Sequence, residues 1–164
     1  MDFLRHKDFL IRKAESKDLN SIVKLLADDP LGEKRENYQQ PLPESYVQAF
    51  ERISSDTNQE LMVLEHVSGT VIGTLQLTFI PYLTHQGSIR AQIEAVRIKK
   101  EFRGQGLGDF LFRWAIQRAQ DQGARMLQLT TDKQRPEAIE FYERLGFKAS
   151  HEGMKLALLP KNDV

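Results

Sequence analysis

Six consecutive residues carry the clearest chemistry in this chain: Arg103-Gly104-Gln105-Gly106-Leu107-Gly108. Closely spaced glycines let successive backbone N–H groups converge on an anion, and a helix starting there adds the positive end of its dipole. Arg103 supplies a guanidinium that can grip a phosphate through two hydrogen bonds. Arg97, Lys99, Lys100 and Arg103 against Glu101 alone give residues 97–103 a net charge of +3. Two familiar phosphate loops do not fit. A Walker loop needs a Lys after its last glycine, and none is there. A dinucleotide fingerprint needs its third glycine where Asp109 stands. The glycine spacing is also met by a plain turn that holds no ligand.

Composition narrows the classes. The chain has 164 residues, 40% hydrophobic and 28% charged, which suits one folded domain rather than a disordered polyelectrolyte or a membrane protein. Its 23 basic and 23 acidic side chains cancel, so no general phosphate attraction favours a nucleic-acid partner. There is no cysteine, which removes disulfides, thiolate metal sites and cysteine nucleophiles. His6, His66, His85 and His151 show no ligand spacing, and no metal is expected. Charges interrupt the apolar residues of Met1–Leu10, and no apolar run approaches the roughly 18 residues of a membrane span. The expectation is a soluble cytoplasmic protein with no membrane partner.

The elements that must position the loop follow from periodicity. Phe9-Leu10-Ile11 reads as a strand, and Ser16 as the cap of a helix from Lys17 to Asp28 that Asp29-Pro30 stops. Residues 31–43 read as a loop, and 44–54 as a second helix. Strands follow at 61–67, 71–80 and 89–98, then the loop, a helix to Gln122, a strand at 126–131 and a helix at 136–145. Gly146 suits a left-handed helix end, with Phe147 folding back on the helix. Two last strands, 147–151 and 154–158, flank Gly153. The order β-α-α-β-β-β-α-β-α-β-β describes an α/β fold around one mostly antiparallel sheet with a parallel β-α-β unit in its second half.

Arg103–Gly108 after a strand reading Val96-Arg97-Ile98 resembles the acetyl-CoA-binding signature of the Gcn5-related N-acetyltransferases (GNAT). The run from Ala138 to Phe147, with Phe141-Tyr142 and Gly146-Phe147, resembles that family's second signature. The resemblance implies a splayed mixed sheet flanked by helices, a single N-acetyltransferase domain over 1–164, and acetyl-CoA as cosubstrate. The pantetheine arm would pair beside Val96 and Ile98, and the pyrophosphate would sit on Arg103, Gly104, Gln105, Gly106, Leu107 and Gly108. The family often has Asn where this chain has Arg135, so that contact is lost or is replaced by a charge reaching the phosphates.

An amine with a pKa near 10 must lose a proton before it attacks a thioester, and the departing thiolate needs one. By resemblance Tyr142 is the proton donor; otherwise it packs with Ile139 as a helix-face aromatic. Glu94 is the candidate base. Strict alternation puts it on the face of Val96 and Ile98, partly desolvated and with a raised pKa; otherwise it serves a structural ion pair. His85 and His151 are weaker bases, and His66 weaker still. Residues 28–36 hold Asp28, Asp29, Glu33 and Glu36 against Lys34 and Arg35, a net −2 that suits a cationic amine and equally a solvated loop. The acceptor is a small-molecule or peptide amine. The alternative is a catalytically silent CoA-binding sensor or scaffold. Family analogy also suggests a homodimer formed through Met154–Leu158.

Overall fold

The alternation of Leu75, Leu77 and Phe79 with Thr74, Gln76 and Thr78 demands a strand with two unlike faces. In the computed structural model, which describes residues 5–28, 30–133, 135–156 and 158, that strand is β4 (Val71–Pro81). Its sheet also contains β1 (Arg5–His6), β2 (Phe9–Lys13), β3 (Gln59–His66), β5 (Ile89–Ile98) and β6 (Ala124–Leu129), in the spatial order of the chain. The helices are α1 (Leu19–Ala27), α2 (Pro30–Glu33), α3 (Glu44–Ser55), the short turn α4 (Thr84–Gly87), α5 (Leu107–Asp121) and α6 (Pro136–Arg144). All neighbouring strands are antiparallel except β5 and β6. A parallel pair needs a crossover, and α5 provides it. The α/β class and the mostly antiparallel sheet are as expected. Met1–Leu129 and Thr130–Val164 are two compact units, and each is described by itself.

In the first unit Leu75, Leu77, Ala91 and Ile93 are buried on one face of the sheet. Glu60, opposite Leu77, holds Arg118 of α5 on that side, with a closest approach of 2.6 Å. On the other face Leu61 and Val63 pack with Ala14, with Ile22 of α1 and with Phe50 and Ile53 of α3. Each such apolar side chain removed from water contributes roughly 1.5–3 kcal/mol, and this sets which residues face inward.

One irregularity decides how β5 presents its side chains. Thr74 pairs with Arg97, but Gln76 pairs with Glu94, so two steps along β4 match three along β5. The extra residue is a bulge, with Ala95 left-handed at φ 54°. Strict alternation along β5 therefore fails. Glu94 shares a face with Gln76, whereas Ile98, opposite Gly73, returns to the face of Ile93. Gly73 makes room for this: a Cβ there would lie 2.8 Å from Ile98 Cδ1 and 3.0 Å from the Arg97 carbonyl oxygen.

Two other expectations are corrected. Ser16 does not cap α1; residues 16–18 form a 3-10 turn and the helix begins at Leu19. Asp18 is drawn instead into a polar knot, accepting from Arg12 at 2.6 and 2.9 Å and from the Glu15 N–H at 2.8 Å. Of the two last strands expected, the described residues form neither: 147–156 and 158 carry no strand, and residue 157 lies outside the described residues. A strand needs a ladder beside it, and the described residues of the second unit supply none. Met154, Leu156 and Leu158 are 97%, 84% and 86% exposed. The end of α6 is as expected. Gly146, at φ 94°, donates to the Glu143 carbonyl at 2.9 Å, and Phe147 donates to Tyr142 at 3.0 Å. This pair of bonds closes the helix, and the ring centres of Tyr142 and Phe147 lie 6.1 Å apart.

Asp18 is only 3% exposed. Burial pushes its carboxyl up, but the bonds from Arg12 and from the Glu15 N–H, with the Arg12 charge, outweigh burial and hold it below the usual carboxylate range. A depressed folded-state pKa stabilises above the unfolded value and is lost as pH falls through the folded one. Asp18→Asn is expected to cost about 2 kcal/mol at pH 7. The deficit should shrink below about pH 4, measured by urea unfolding of both proteins at pH 7 and pH 3.

Candidate active site

β5 is paired on both sides only as far as Ile93. Its ladder with β6 runs from Ile89–Ala124 to Ile93–Leu129 and stops, while the ladder with β4 continues to Ile98. Beyond the bulge, one edge of residues 94–98 has no strand partner among the described residues. Such an edge is a template for another extended chain, which adds its own N–H and C=O groups to the sheet. Val96 and Ile98 both lie on it. The Val96 carbonyl also accepts from Arg97 Nη1 at 2.8 Å and keeps a second lone pair.

After one 3-10 turn the strand leads into the glycine-rich loop. The first hydrogen bond of α5 runs from Phe110 to the Gly106 carbonyl at 3.0 Å, so the N–H groups of Leu107, Gly108 and Asp109 have no helical acceptor. Gly106 caps the helix at φ 78°. No atom lies within 4 Å of the position of a Cβ at Gly104 or Gly106, so this face of the loop is open. Arg103 donates from Nε to the Ile98 carbonyl at 2.9 Å, which ties the loop to the end of β5. Asp109, an acid in the first turn, is paired with Arg113 one turn on. The cradle and its amides fit a pyrophosphate.

Aromatic rings hold the base of this loop. Phe102, in the 3-10 turn Lys100–Phe102, meets Phe9 edge-on at 6.1 Å and His66 at 6.1 Å. Phe110 of α5 packs on His6 at 5.3 Å. Sequence reading missed this cluster, although Phe102 precedes Arg103 directly and Phe110 lies two residues past Gly108. It missed the bulge too, and the signal was there: Ile93 and Ile98 are five apart, an odd spacing that regular alternation cannot bury on one face.

Glu94 is exposed, so the partial burial expected of it is absent, and the bulge keeps it off the face of Ile98. His66 is bonded to Ser68 at 2.8 Å beneath the loop. His85 meets the Tyr82 ring edge-on at 5.7 Å, at the far end of β5. In the second unit Tyr142 lies between Phe141 and Phe147, Arg135 caps α6, and His151 meets Ser150 at 2.9 Å. In the acidic segment Glu36 is taken up by Arg35 at 2.6 Å and by the Tyr46 hydroxyl at 3.1 Å, while Asp29 lies outside the described residues. Among the described residues no cluster of His, Asp and Glu could hold a metal ion, and no helix is long and apolar enough to cross a membrane.

Known proteins are similar to this chain. A crystal structure titled as a transcriptional regulator from Bacillus halodurans C-125 superposes with a TM-score of 0.88 at 56% identity, covering 91% of this chain and 99% of that one. Aminoalkylphosphonate N-acetyltransferase of Salmonella typhimurium is 34% identical over 84 residues, 51% of this chain and 54% of that protein. Glucosamine 6-phosphate N-acetyltransferase of Trypanosoma brucei brucei is 30% identical over 91 residues, 56% of this chain and 60% of that protein. The chain thus spans little more than half the length of these two relatives. The acetyltransferase (GNAT) family profile matches residues 19–147, and with the open strand edge running into a glycine-capped helix start, this chain belongs to that family.

Proposed function

We propose that residues 1–164 act as one acetyl-CoA-dependent N-acetyltransferase domain. The observation that carries this is the half-paired β5 followed, after a short turn and the glycine-rich loop, by three amides without a helical acceptor at the start of α5. The pantetheine arm adds to the edge beside Val96 and Ile98, and its pyrophosphate takes the amides of Gly104–Gly108 with the Arg103 charge. Arg135 offers a further cation to the phosphates. Glu94 takes the proton of the acceptor ammonium, and the free amine attacks the thioester carbonyl directly. The C–S bond breaks, the departing thiolate takes the Tyr142 hydroxyl proton, and the second proton lost by the new amide nitrogen returns to Tyr142. Relatives named for aminoalkylphosphonate and glucosamine 6-phosphate support a small-molecule amine as acceptor. A silent CoA-binding sensor is the second reading, favoured by the description of the 56% identical Bacillus halodurans protein as a transcriptional regulator.

Calorimetry with acetyl-CoA, followed by thiol release across an amine panel, separates the two. Binding with turnover is expected; tight binding without turnover on any amine selects the sensor. Gly106→Ala strains a left-handed residue and puts a methyl group into the open cradle, and Arg103→Ala removes the charge and the tie to Ile98. Each should raise the acetyl-CoA KM by roughly ten-fold, about 1.4 kcal/mol. An Arg103→Ala protein with unaltered affinity would mean the pyrophosphate lies elsewhere.

Proton traffic has its own pattern. Tyr142→Phe should lower kcat by roughly 10²-fold or more on every acceptor, because the leaving thiolate is the same in each. Glu94→Gln should cost as much on a strongly basic amine and far less on one already neutral at the assay pH. Equal losses on both amines would remove Glu94 as the base.

A homodimer through the exposed side chains of Met154, Leu156 and Leu158 is part of this reading. Light scattering should give twice 18.9 kDa at micromolar concentration, and a monomer mass would end it.

A further inference from the structure

The end of β5 away from the glycine-rich loop carries cations that no acid answers among the described residues. Arg90 is part-buried, and among the described residues it has neither a hydrogen bond nor an ion pair. Its Nε is enclosed and unsatisfied; its guanidinium carbon stands 5.4 Å from the centre of the Tyr82 ring. Two residues earlier Ser88 is buried, and its Oγ is unsatisfied as well. On the other side of Arg90 the β5–β6 register slips, because Ile89 pairs with Ala124 but Arg90 with Met126. Arg125 is the extra residue at that slip. It is exposed and has no acidic partner among the described residues.

Period two places Ser88, Arg90, Gln92 and Glu94 along one side of the chain, and the register confirms Arg90, Gln92 and Glu94 opposite Ile80, Thr78 and Gln76. The middle of this polar row satisfies itself. Gln76 and Thr78 both donate to Gln59 Oε1, at 3.0 and 2.8 Å, and Gln128 donates to Gln92. Its ends do not: unmet donors of Ser88 and Arg90 stand at one end, and an exposed carboxylate with no partner among the described residues at the other. Unsatisfied buried polar atoms are rare in native structures, and an ordered water, an ion or a ligand completes their bonding.

We propose that this row recognises the acceptor and selects amines that also carry an anionic group, whether carboxylate, phosphate or phosphonate. The anion sits on Arg90 and Ser88, with Arg125 adding charge, and the amine lies at Glu94. The inference rests on the reading of Glu94 as the base. Four residues of strand separate the two ends, ~13 Å between Cα atoms. The side chains of Arg90 and Glu94 shorten that span, so an acceptor with several bonds between amine and anion fits better than an α-amino acid.

The test is kcat/KM with acetyl-CoA for matched amines: glucosamine 6-phosphate against glucosamine, 3-aminopropylphosphonate against propylamine, and 5-aminopentanoate against pentylamine. The anionic member of at least one pair should be preferred by roughly ten-fold or more, and the preferred pair identifies the anion. Arg90→Gln should collapse that ratio towards one through the acceptor KM, Arg90→Lys should restore part of it, and Ser88→Ala should weaken it. Thermal unfolding of each variant checks that the fold survives. Equal or better turnover of all three neutral amines would overturn the inference, as would an intact preference in Arg90→Gln and Ser88→Ala. Acetyl-CoA bound with none of the six amines acetylated would overturn this acceptor class and leave the cofactor reading standing. Absence of acetyl-CoA binding would overturn both.

Discussion

Everything at the candidate site depends on where β5 loses its second neighbour. Interior strands normally bond on both edges, since buried backbone groups without partners are costly. Here the parallel partner runs out at Leu129 while the antiparallel partner continues, so the second half of β5 is an edge in the interior of the sheet order. The bulge falls at the same point, with the left-handed Ala95 two residues past the last pairing with β6. The two features act together. Loss of the ladder frees one edge of the backbone, and the bulge changes which side chains stand on each face beside it.

A free edge would be of little use if the loop that follows were loose. The loop is fixed at both ends by different forces. Arg103 bonds back to the carbonyl of Ile98, and the aromatic contacts of Phe102 and Phe110 join the loop to β2, to the end of β3 and to the first hairpin. Preorganised amides lose little freedom on binding, which is where rigid anion sites gain over flexible ones. Pairing of Asp109 with Arg113 spares the helix start an unscreened negative charge.

Elements set by local rules were legible in the sequence. Alternating apolar residues gave β4 and the bounds of β5, Gly146 gave the end of α6, and Arg103–Gly108 gave the glycine-rich loop that opens α5. What escaped depends on partners distant in the chain. Asp18 leaves the helix start for Arg12 and Glu65 lies on the same guanidinium, a knot no window of sequence displays. The apolar alternation of Met154, Leu156 and Leu158 reads as a strand, yet pattern alone supplies no ladder. Glu94 was placed by counting in twos, and one inserted residue is enough to reverse that count. Arg90 and Ser88 drew no notice, because an unsatisfied group is visible only once its surroundings are known.

Charge along β5 has a consequence for how an acceptor loses its proton. In the proposed site Glu94 lies between the basic stretch around Arg103 and the pair Arg90–Arg125, so an ammonium there feels cations from both directions. At ~13 Å one such charge disfavours the ammonium by only ~0.3 kcal/mol across water, rising to ~1.3 kcal/mol at an effective dielectric constant of 20. A pKa unit corresponds to about 1.4 kcal/mol, so the flanking field shifts an amine by roughly one unit per cation and only once water is displaced. An amine near pKa 10 needs about three units to be half neutral at pH 7. The field therefore assists and cannot replace a base, and its help arrives when acceptor and acetyl-CoA together exclude solvent from the row. An anion on the acceptor neutralises Arg90 and removes part of that help. The same group that secures recognition thus leaves more of the deprotonation to Glu94.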